Sequence, residues 1–242
     1  MTLAKSAVAN RIRNLDQQVV DQRTSYLESL KPQTLKERYK RWIFSAMSIN
    51  TCLRQNVDNY KTVMAMPWDS LNELQEVMAY AGVSLPSAKS VSVWAITQLY
   101  HGPEKQRIFA HPAQAGWCQK KHAWDWFRDR MAEVTTVEDD SVKKMPWVGL
   151  KVVSFAHEMC WPCNCRVLAV DVHVKRWYGV KGELTDKLYH EIEEHWLEAC
   201  DRYGFPPAIV RSILWDRDHS ADSSRHWSHV FEDESLPILQ TA

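Results

Sequence analysis

Apolar residues recur every three or four positions along most of the chain, which is the spacing of one face of a helix. In residues 5–30, for example, Val8, Ile12, Leu15 and Val19 fall on one face of a predicted helix. Seven glycines in 242 residues also favour helices over a turn-rich β fold. The pattern therefore predicts an all-α protein.

Capping residues place the ends of the predicted helices. Ser70 and Glu73 form a capping box, and Asn50 or Thr51 can cap the helix before it. No periodicity is found in residues 216–242. The predicted helices span 5–30, 34–48, from Asn50 or Thr51 to about Met64, from Ser70 to Gly82, 86–101, 111–132, 150–160, 171–178, from Thr185 or Asp186 to Gly204, and from Pro206 to Trp215.

The length and composition fit one large globular domain or two small lobes around one cleft. Hydrophobic residues make up 45% of the chain and charged residues 25%. No apolar run approaches the roughly 20 residues that cross a bilayer, and the N-terminal Met-Thr-Leu-Ala-Lys-Ser has no apolar signal core. We therefore expect a cytoplasmic monomer with no membrane partner.

The formal net charge is zero, but the charges are unevenly distributed. Residues 190–242 hold 11 acidic and 4 basic residues, whereas residues 1–189 hold 26 basic and 19 acidic residues. A basic body with an acidic C-terminal segment can present a local positive face to a nucleic acid. Neutral overall charge therefore does not exclude DNA as a partner.

A tight Pro/Gly hairpin, Met145-Pro-Trp-Val-Gly-Leu-Lys151, precedes a helical pattern. The exposed backbone N–H groups of such a hairpin suit a phosphate oxygen. Twenty residues later, Asp171 stands at the head of a second helical pattern. A lysine and an aspartate brought together at a helix mouth suit chemistry on a nucleotide. The alternatives are an ordinary turn between two helices with a surface lysine, and Asp171 as a plain N-cap.

The two segments resemble the helix-hairpin-helix DNA glycosylase superfamily, over about residues 38–180. The superfamily hairpin usually reads Leu-Pro-Gly-Val-Gly with a lysine after one further residue, and Trp147 replaces its first glycine here. The segment Val170-Asp-Val-His-Val-Lys-Arg176 is similar to Val-Asp-Thr-His-Val-x-Arg. The resemblance implies an all-α, two-lobed helix-hairpin-helix DNA glycosylase-like fold with a cleft between the lobes. It also implies that Asp171 is the catalytic carboxylate.

A third match lies upstream, where Ser48-Ile-Asn-Thr51 stands in place of a Ser-Gln-Gln-Thr-like segment. In the glycosylases, polar residues of this segment probe the duplex beside an extruded base. The resemblance makes Asn50 a candidate wedge or reader of base edges. The alternative is that Asn50 caps a helix.

Further details resemble one branch, the phage alpha-glutamyl/putrescinyl thymine pyrophosphorylases, or amino acid:DNA transferases. These details are Gly149-Leu150 with the later Phe155 and Met159, Arg176-Trp-Tyr-Gly179, and the Asn56…Tyr60 pair. Such enzymes act on 5-(pyrophosphoryloxymethyl)uracil in DNA, where an amine or amino acid displaces pyrophosphate. The resemblance implies double-stranded DNA with a modified base as partner, an amine or amino acid co-substrate, and a bacterial host cytoplasm as the location.

The main hypothesis is this transferase, in which Asp171 takes a proton from the incoming ammonium and cationic Lys151 stabilises the departing pyrophosphate. The alternative is a DNA glycosylase/AP lyase, in which neutral Lys151 attacks the sugar C1′ and Asp171 stabilises the developing charge. A third hypothesis is a non-catalytic DNA-binding module. The predicted DNA contacts are Asn50, Lys143, Lys144, Trp147, Val148, Gly149, Lys175 and Arg176.

We expect no cofactor and no metal. Many superfamily members end in a four-cysteine loop that holds an iron–sulfur cluster, but only Cys200 follows residue 165 here. The compact set Cys160, Cys163 and Cys165 lies near His157 and can bind zinc or consist of packed thiols.

Two other segments have open alternatives. The tryptophans and arginines at 124–130 can flank DNA or pack in the core. The polar tail at 216–229 can close over a substrate, bind a metal or remain a solvated acidic loop.

The predicted domain organisation has an N-terminal helix in residues 1–35, a glycosylase-like helical domain in 36–215 and an acidic tail in 216–242. Within it, we expect one lobe to hold roughly residues 36–148. The other lobe combines the N-terminal helix with residues 149–215. Lys151 and Asp171 are expected to face the cleft between the lobes.

Overall fold

The computed structural model describes residues 2–103, 109, 135–138, 141–144, 148–218 and 227–231. These ranges contain ten α-helices, two strands and one short 3₁₀ helix at Trp227–Val230. The helices and strands are α1 (Lys5–Arg13), α2 (Gln17–Ser29), α3 (Leu35–Met47), α4 (Leu53–Ala65), α5 (Leu71–Tyr80), α6 (Pro86–His101), β1 (Thr135–Glu138), β2 (Ser141–Lys144), α7 (Leu150–Cys160), α8 (Val172–Trp177), α9 (Asp186–Asp201) and α10 (Pro207–Asp218).

The predicted all-α class is confirmed. The departure from it is a small antiparallel hairpin, in which β1 pairs with β2 and Thr135 lies opposite Lys144. Among the described helices, none is long and apolar enough to cross a membrane.

Local capping chemistry sets several helix ends where the sequence placed them. Thr34 and Glu37 form a reciprocal capping box at the start of α3. Ser70 Oγ accepts from the backbone N–H of Glu73 at the start of α5, and Thr185 caps α9 in the same way. Gly82 follows α5 with φ +71°, a left-handed conformation that glycine adopts without a Cβ clash.

The single helix predicted for residues 5–30 is wrong, since two helices occupy this range. Asp16 Oδ1 accepts a hydrogen bond from the backbone N–H of Gln18, so a new helix begins there. The break shifts the buried face by one residue. Val19 is therefore 37% exposed, and Val20 is buried in its place.

The last predicted helix extends further than its sequence pattern indicated. Helix α10 runs to Asp218 instead of ending at Trp215. Asp216 is paired with Arg23, and Asp218 is paired with Arg11. These ion pairs are made with residues about 200 positions away, so periodicity within the segment could not reveal them.

The chain divides into two compact units. The first unit comprises Met1–Lys31 and His157–His226, and the second comprises Pro32–Ala156 and Trp227–Ala242. In the first unit, α2 and α9 both pack against α10, and α1 packs against α9. Its core includes the stacked rings of Trp177 and Trp196, with centroids 5.7 Å apart.

Helix α3 is central to the second unit. It packs against α4 and α6, and every residue from Tyr39 to Met47 is buried. The Phe44 ring makes edge contacts with Tyr60 and Phe231. Phe231 directly follows the 3₁₀ helix, which packs on α4. The C-terminal part of the chain thus completes the core of this unit.

Candidate functional site

Asp171 is the N-cap of α8. Its Oδ1 accepts hydrogen bonds from the backbone N–H groups of His173 at 2.8 Å and Val174 at 2.9 Å. These bonds orient the carboxylate and use only one of its oxygens. The side chain retains 16% exposure. The N-cap interpretation is therefore correct as geometry, and it leaves the second oxygen for other interactions.

The second oxygen of Asp171 faces a buried arginine. Arg211 Nη1 lies 3.5 Å from Asp171 Oδ2, and Arg211 Nε donates to Glu158 Oε2 at 2.7 Å. Both Arg211 and Glu158 are almost fully buried. The Arg211 guanidinium therefore links the carboxylates of Glu158 and Asp171, and these three residues come from three different segments of the first unit.

The segment that leads into Asp171 is held by buried polar side chains. Glu193 Oε1 accepts from the backbone N–H of Leu168 at 2.7 Å, and Glu158 Oε1 accepts from that of Ala169 at 2.8 Å. The Tyr189 hydroxyl donates to the Leu168 carbonyl at 2.5 Å. The position at which α8 begins is thus set by side chains from α7 and α9.

Electrostatics within this network favour a charged arginine. Burial opposes the charged form of Arg211, but the carboxylates of Glu158 and Asp171 outweigh it and raise the pKa of Arg211. Burial also raises the pKa of Glu158, and the charge and hydrogen bonds of Arg211 oppose that rise. Each buried charge therefore depends on the other.

Lys151 is in the first turn of α7, in the second unit, and is half-buried. Gly149 opens the helix, since its carbonyl accepts from the backbone N–H groups of Val152 and Val153. Gly149 is exposed, and a methyl group there would meet no atom of the described residues within 4 Å. The Val148 side chain is buried, and any ligand contact at Val148 would involve its backbone.

The turn before α4 has a conformation that the capping prediction missed. Neither Asn50 nor Thr51 caps α4, because Cys52 occupies the N-cap position without a side-chain hydrogen bond. Instead, Asn50 is exposed with φ +50°. Thr51 Oγ1 donates to the Ile49 carbonyl at 3.0 Å, which satisfies the turn internally.

A second exposed turn lies beside the first and was missed by sequence reasoning. Leu85 is 50% exposed and has φ +55°, an unusual conformation for a large side chain. Ser84 Oγ donates to the Asn50 carbonyl at 3.2 Å and lies 3.0 Å from Thr51 Oγ1. The two turns are therefore joined by hydrogen bonds. Asn50 forms the polar tip of one turn, and Leu85 forms the apolar tip of the other.

Both turns are hydrogen-bonded to Lys89, which the sequence analysis did not identify as a site residue. The buried Nζ of Lys89 donates to Thr51 Oγ1 at 2.6 Å and to Ser84 Oγ at 2.9 Å. Burial, together with the positive charge of Lys151, lowers the pKa of Lys89 to about 8. A lysine in a helical pattern carries no sequence signal for such an environment.

The other predicted DNA contacts are distributed over both units. Lys175 Nζ donates to the Gly182 carbonyl at 2.7 Å, and Arg176 is exposed. The backbones of Lys143 and Lys144 lie in β2, but their side chains are outside the described part of the structure. Trp147 also lies outside the described residues, as do the segment at 124–130 and positions 219–226 of the tail.

Two of the three cysteines near α7, Cys160 and Cys165, are buried, and Cys163 is half-buried. Burial and the hydrogen bond to Glu28 raise the pKa of Cys163 to about 12. In the described ranges, no group of three or more His, Cys, Asp or Glu residues could hold a metal ion.

Comparison with known proteins identifies the fold. No family model matches the chain, and no curated protein matches it by sequence. The chain is similar in structure to the 8-oxoguanine DNA glycosylase of Thermotoga maritima, with 16% identity, a TM-score of 0.57, and coverage of 87% of this chain and 94% of that one.

Two structures from Methanocaldococcus jannaschii are also similar. Its 8-oxoguanine DNA glycosylase has 13% identity, a TM-score of 0.60, and coverage of 89% of this chain and 93% of that chain. The same organism's 8-oxoguanine glycosylase/lyase with a 15mer DNA containing 8-oxoguanine has 14% identity, a TM-score of 0.57, and coverage of 88% and 95%. The chain therefore has the fold of the helix-hairpin-helix DNA glycosylases.

The candidate residues fall into two groups, one in each unit. Asn50, Gly149 and Lys151 belong to the second unit with Val148, and Asp171 belongs to the first with Lys175 and Arg176. That Lys151 and Asp171 face one cleft stays a prediction.

Proposed function

We propose that this protein is a DNA glycosylase with AP lyase activity that removes a modified or damaged base. The proposal is carried by the position of Asp171, whose carboxylate is oriented at the N-terminus of α8 and hydrogen-bonded to buried Arg211. The similarity to the fold of 8-oxoguanine DNA glycosylases supports it. An oxidised purine such as 8-oxoguanine is the first substrate class to test.

The proposed chemistry needs the base outside the stack, at a cost of a few kcal/mol. The neutral amine of Lys151 attacks C1′ as the glycosidic C1′–N bond breaks, and one proton of the amine passes to the departing base. The sugar ring then opens at the C1′–O4′ bond, the second amine proton moves to O4′, and a Schiff base forms. Asp171 stabilises the positive charge that develops on the sugar and accepts a proton.

The second unit offers a means of engaging the duplex. Asn50 and Leu85 are a polar and an apolar exposed residue on two turns, which the hydrogen bond from Ser84 to the Asn50 carbonyl joins. Proteins that unstack DNA often insert an apolar wedge of this kind. The backbone at Gly149, with Lys143, Lys144, Lys175 and Arg176, would contact phosphates, and affinity would fall with salt.

A transferase is the second candidate, because Asp171-Val-His with Arg176-Trp-Tyr-Gly179 resembles the phage amino acid:DNA transferases. In this reaction an amine forms a C–N bond to the exocyclic methylene of 5-(pyrophosphoryloxymethyl)uracil, and the C–O bond to pyrophosphate breaks. Asp171 accepts the ammonium proton. Lys151 acts as a cation that stabilises the leaving group, not as a nucleophile.

Borohydride trapping distinguishes the candidates. Purified protein is incubated with 8-oxoguanine duplexes and with duplexes carrying the pyrophosphorylated base plus mixed amines, and products are identified by mass spectrometry. Base release with a trapped protein–DNA adduct that is absent from Lys151→Arg supports the glycosylase/lyase. An amine-substituted thymine without an adduct supports the transferase. DNA binding without either product would leave only the non-catalytic module.

A further inference from the structure

Lys89 occupies an unfavourable position for a positive charge. It lies in the first turn of α6 and is only 2% exposed. Burial disfavours its charged form, as does the positive end of the helix dipole at the N-terminus of α6. Lys151 adds repulsion from a second cation. Three separate effects thus oppose an ammonium group at this point.

No compensating carboxylate pairs with Lys89 among the residues that the structure describes. Its two partners there are the neutral hydroxyls of Thr51 and Ser84, at 2.6 Å and 2.9 Å. Arg211 in the first unit is the contrasting case, since it is buried against the carboxylates of Glu158 and Asp171. Lys89 therefore carries a charge that its described surroundings solvate but do not neutralise.

The two hydroxyls that accept from Lys89 also hold the exposed turns. Ser84 Oγ donates to the Asn50 carbonyl, and Ser84 itself precedes Leu85. Thr51 follows Asn50 directly. Both turn tips have positive φ angles: +50° at Asn50, which asparagine tolerates, and +55° at Leu85, where a large side chain is strained. One ammonium group thus bonds to a hydroxyl next to each turn tip.

We propose that Lys89 is a positioning residue for DNA binding, which holds the Asn50 and Leu85 turns as one rigid edge and whose charge is balanced by a backbone phosphate of the bound duplex. Thr51 and Ser84, whose hydroxyls accept from the ammonium, are both partly exposed residues. A cation in low-dielectric surroundings attracts a nearby anion more strongly than a cation in water does. This inference rests on the proposed action on DNA.

DNA binding should be linked to the protonation of Lys89. The pKa of Lys89 is lowered to about 8 in the free protein, mainly by burial and further by Lys151. A nearby phosphate would raise it, so the protein would take up a proton on binding DNA above about pH 8. Affinity should then fall as pH rises from 7 to 9.5, by at most about tenfold per pH unit. Lys151 is the charged group that acts on Lys89 within the described ranges.

The experiment measures the affinity of the full chain for a duplex with an uncleavable abasic analogue, by fluorescence anisotropy, from pH 6.5 to 9.5 at fixed ionic strength. Lys89→Met keeps the shape of the side chain without its charge, and Lys89→Arg keeps a charge that does not titrate here. Lys36→Met is the matched control, because Lys36 is an exposed lysine on α3 of the same unit. Circular dichroism establishes that each variant is folded.

The expected result is that Lys89→Met binds at least about tenfold more weakly than the wild type at pH 7 and loses the dependence on pH. Lys89→Arg should bind more tightly than Lys89→Met and with a flat pH profile. If folded Lys89→Met matches Lys36→Met in affinity and keeps the wild-type pH profile, the inference is overturned while the action on DNA stands. If the wild type binds no duplex at any pH in this series, both proposals are overturned.

Discussion

Arg211 Nη1 lies 3.5 Å from Asp171 Oδ2, across 40 residues of sequence. The same guanidinium binds Glu158, whose other carboxylate oxygen accepts from the backbone N–H of Ala169. Glu158 therefore holds the segment before Asp171, while Arg211 reaches the carboxylate itself. The orientation of the candidate catalytic group depends on two buried charges that lie outside both sequence motifs.

Removing Arg211 should destabilise the protein strongly. Arg211→Met leaves Glu158 buried without its cation, and we expect the free energy of unfolding to fall by about 3–5 kcal/mol. Urea denaturation measures this loss. The double variant Glu158→Gln/Arg211→Met should recover much of it, because the amide still accepts from Ala169 and needs no counter-ion. Equal stability of the single variant and the wild type would contradict the assigned pairing.

Structural and chemical roles of Asp171 can be separated. Asparagine is as good an N-cap as aspartate and Glu158 still pairs with Arg211, so Asp171→Asn should lower the free energy of unfolding by no more than about 1–2 kcal/mol. Its turnover should fall at least about a hundredfold, because the charge that stabilises the transition state is gone. Asp171→Ala should lose the cap as well as the activity. Retained turnover in folded Asp171→Asn would leave Asp171 as an N-cap alone.

Leu85 should contribute to action on duplex DNA but not to stability. Leu85→Gly relieves the positive φ angle, and we expect the free energy of unfolding to stay level or rise by up to about 1 kcal/mol. Cleavage of duplex substrate should fall at least about tenfold if the side chain fills the space of an extruded base. Tyr80→Ala, which removes another exposed apolar side chain of this unit, is the control. Equal duplex cleavage by both variants would exclude the wedge.

The lowered pKa of Lys89 should make the stability of the protein depend on pH. Its pKa is about 8 in the folded protein and 10.5 ordinarily, so between these values the unfolded chain binds more protons. The stability of the wild type relative to Lys89→Met should therefore be lowest below about pH 8 and rise up to about pH 10.5. Denaturation of both proteins at a series of pH values measures the difference. A difference that does not change with pH would mean that the pKa is not lowered.

Arg176 is expected to contact a phosphate. Arg176→Ala should weaken binding similarly for all duplex sequences and reduce the slope of log affinity against log salt by about one. Lys36→Ala, on an exposed face of α3, should leave the slope unchanged. Binding titrations at several salt concentrations provide the test, and an unaltered slope in Arg176→Ala would remove this residue from the interface.

The sequence by itself determined the helical class, most helix ends and the identity of the two candidate catalytic residues. Helix ends at Thr34, Ser70 and Thr185 were predictable because a cap bonds to a backbone group only two or three residues away. Asp171 was recognisable as the catalytic candidate because Val170-Asp-Val-His-Val-Lys-Arg176 resembles the glycosylase segment, and its N-cap position could be predicted as the alternative. The break at Asp16 was missed because the apolar spacing on either side resembles one continuous helix.

Only the tertiary structure decided which charges are buried and what they contact. Glu158 and Arg211 are 53 residues apart in sequence, and Lys89 meets Thr51 across 38 residues. The left-handed conformation of Leu85 likewise accompanies the hydrogen bond from Ser84 to the neighbouring turn. Pairings of this kind depend on packing between distant segments, because the cost of burying a charge is set by the groups that surround it and not by its neighbours along the chain.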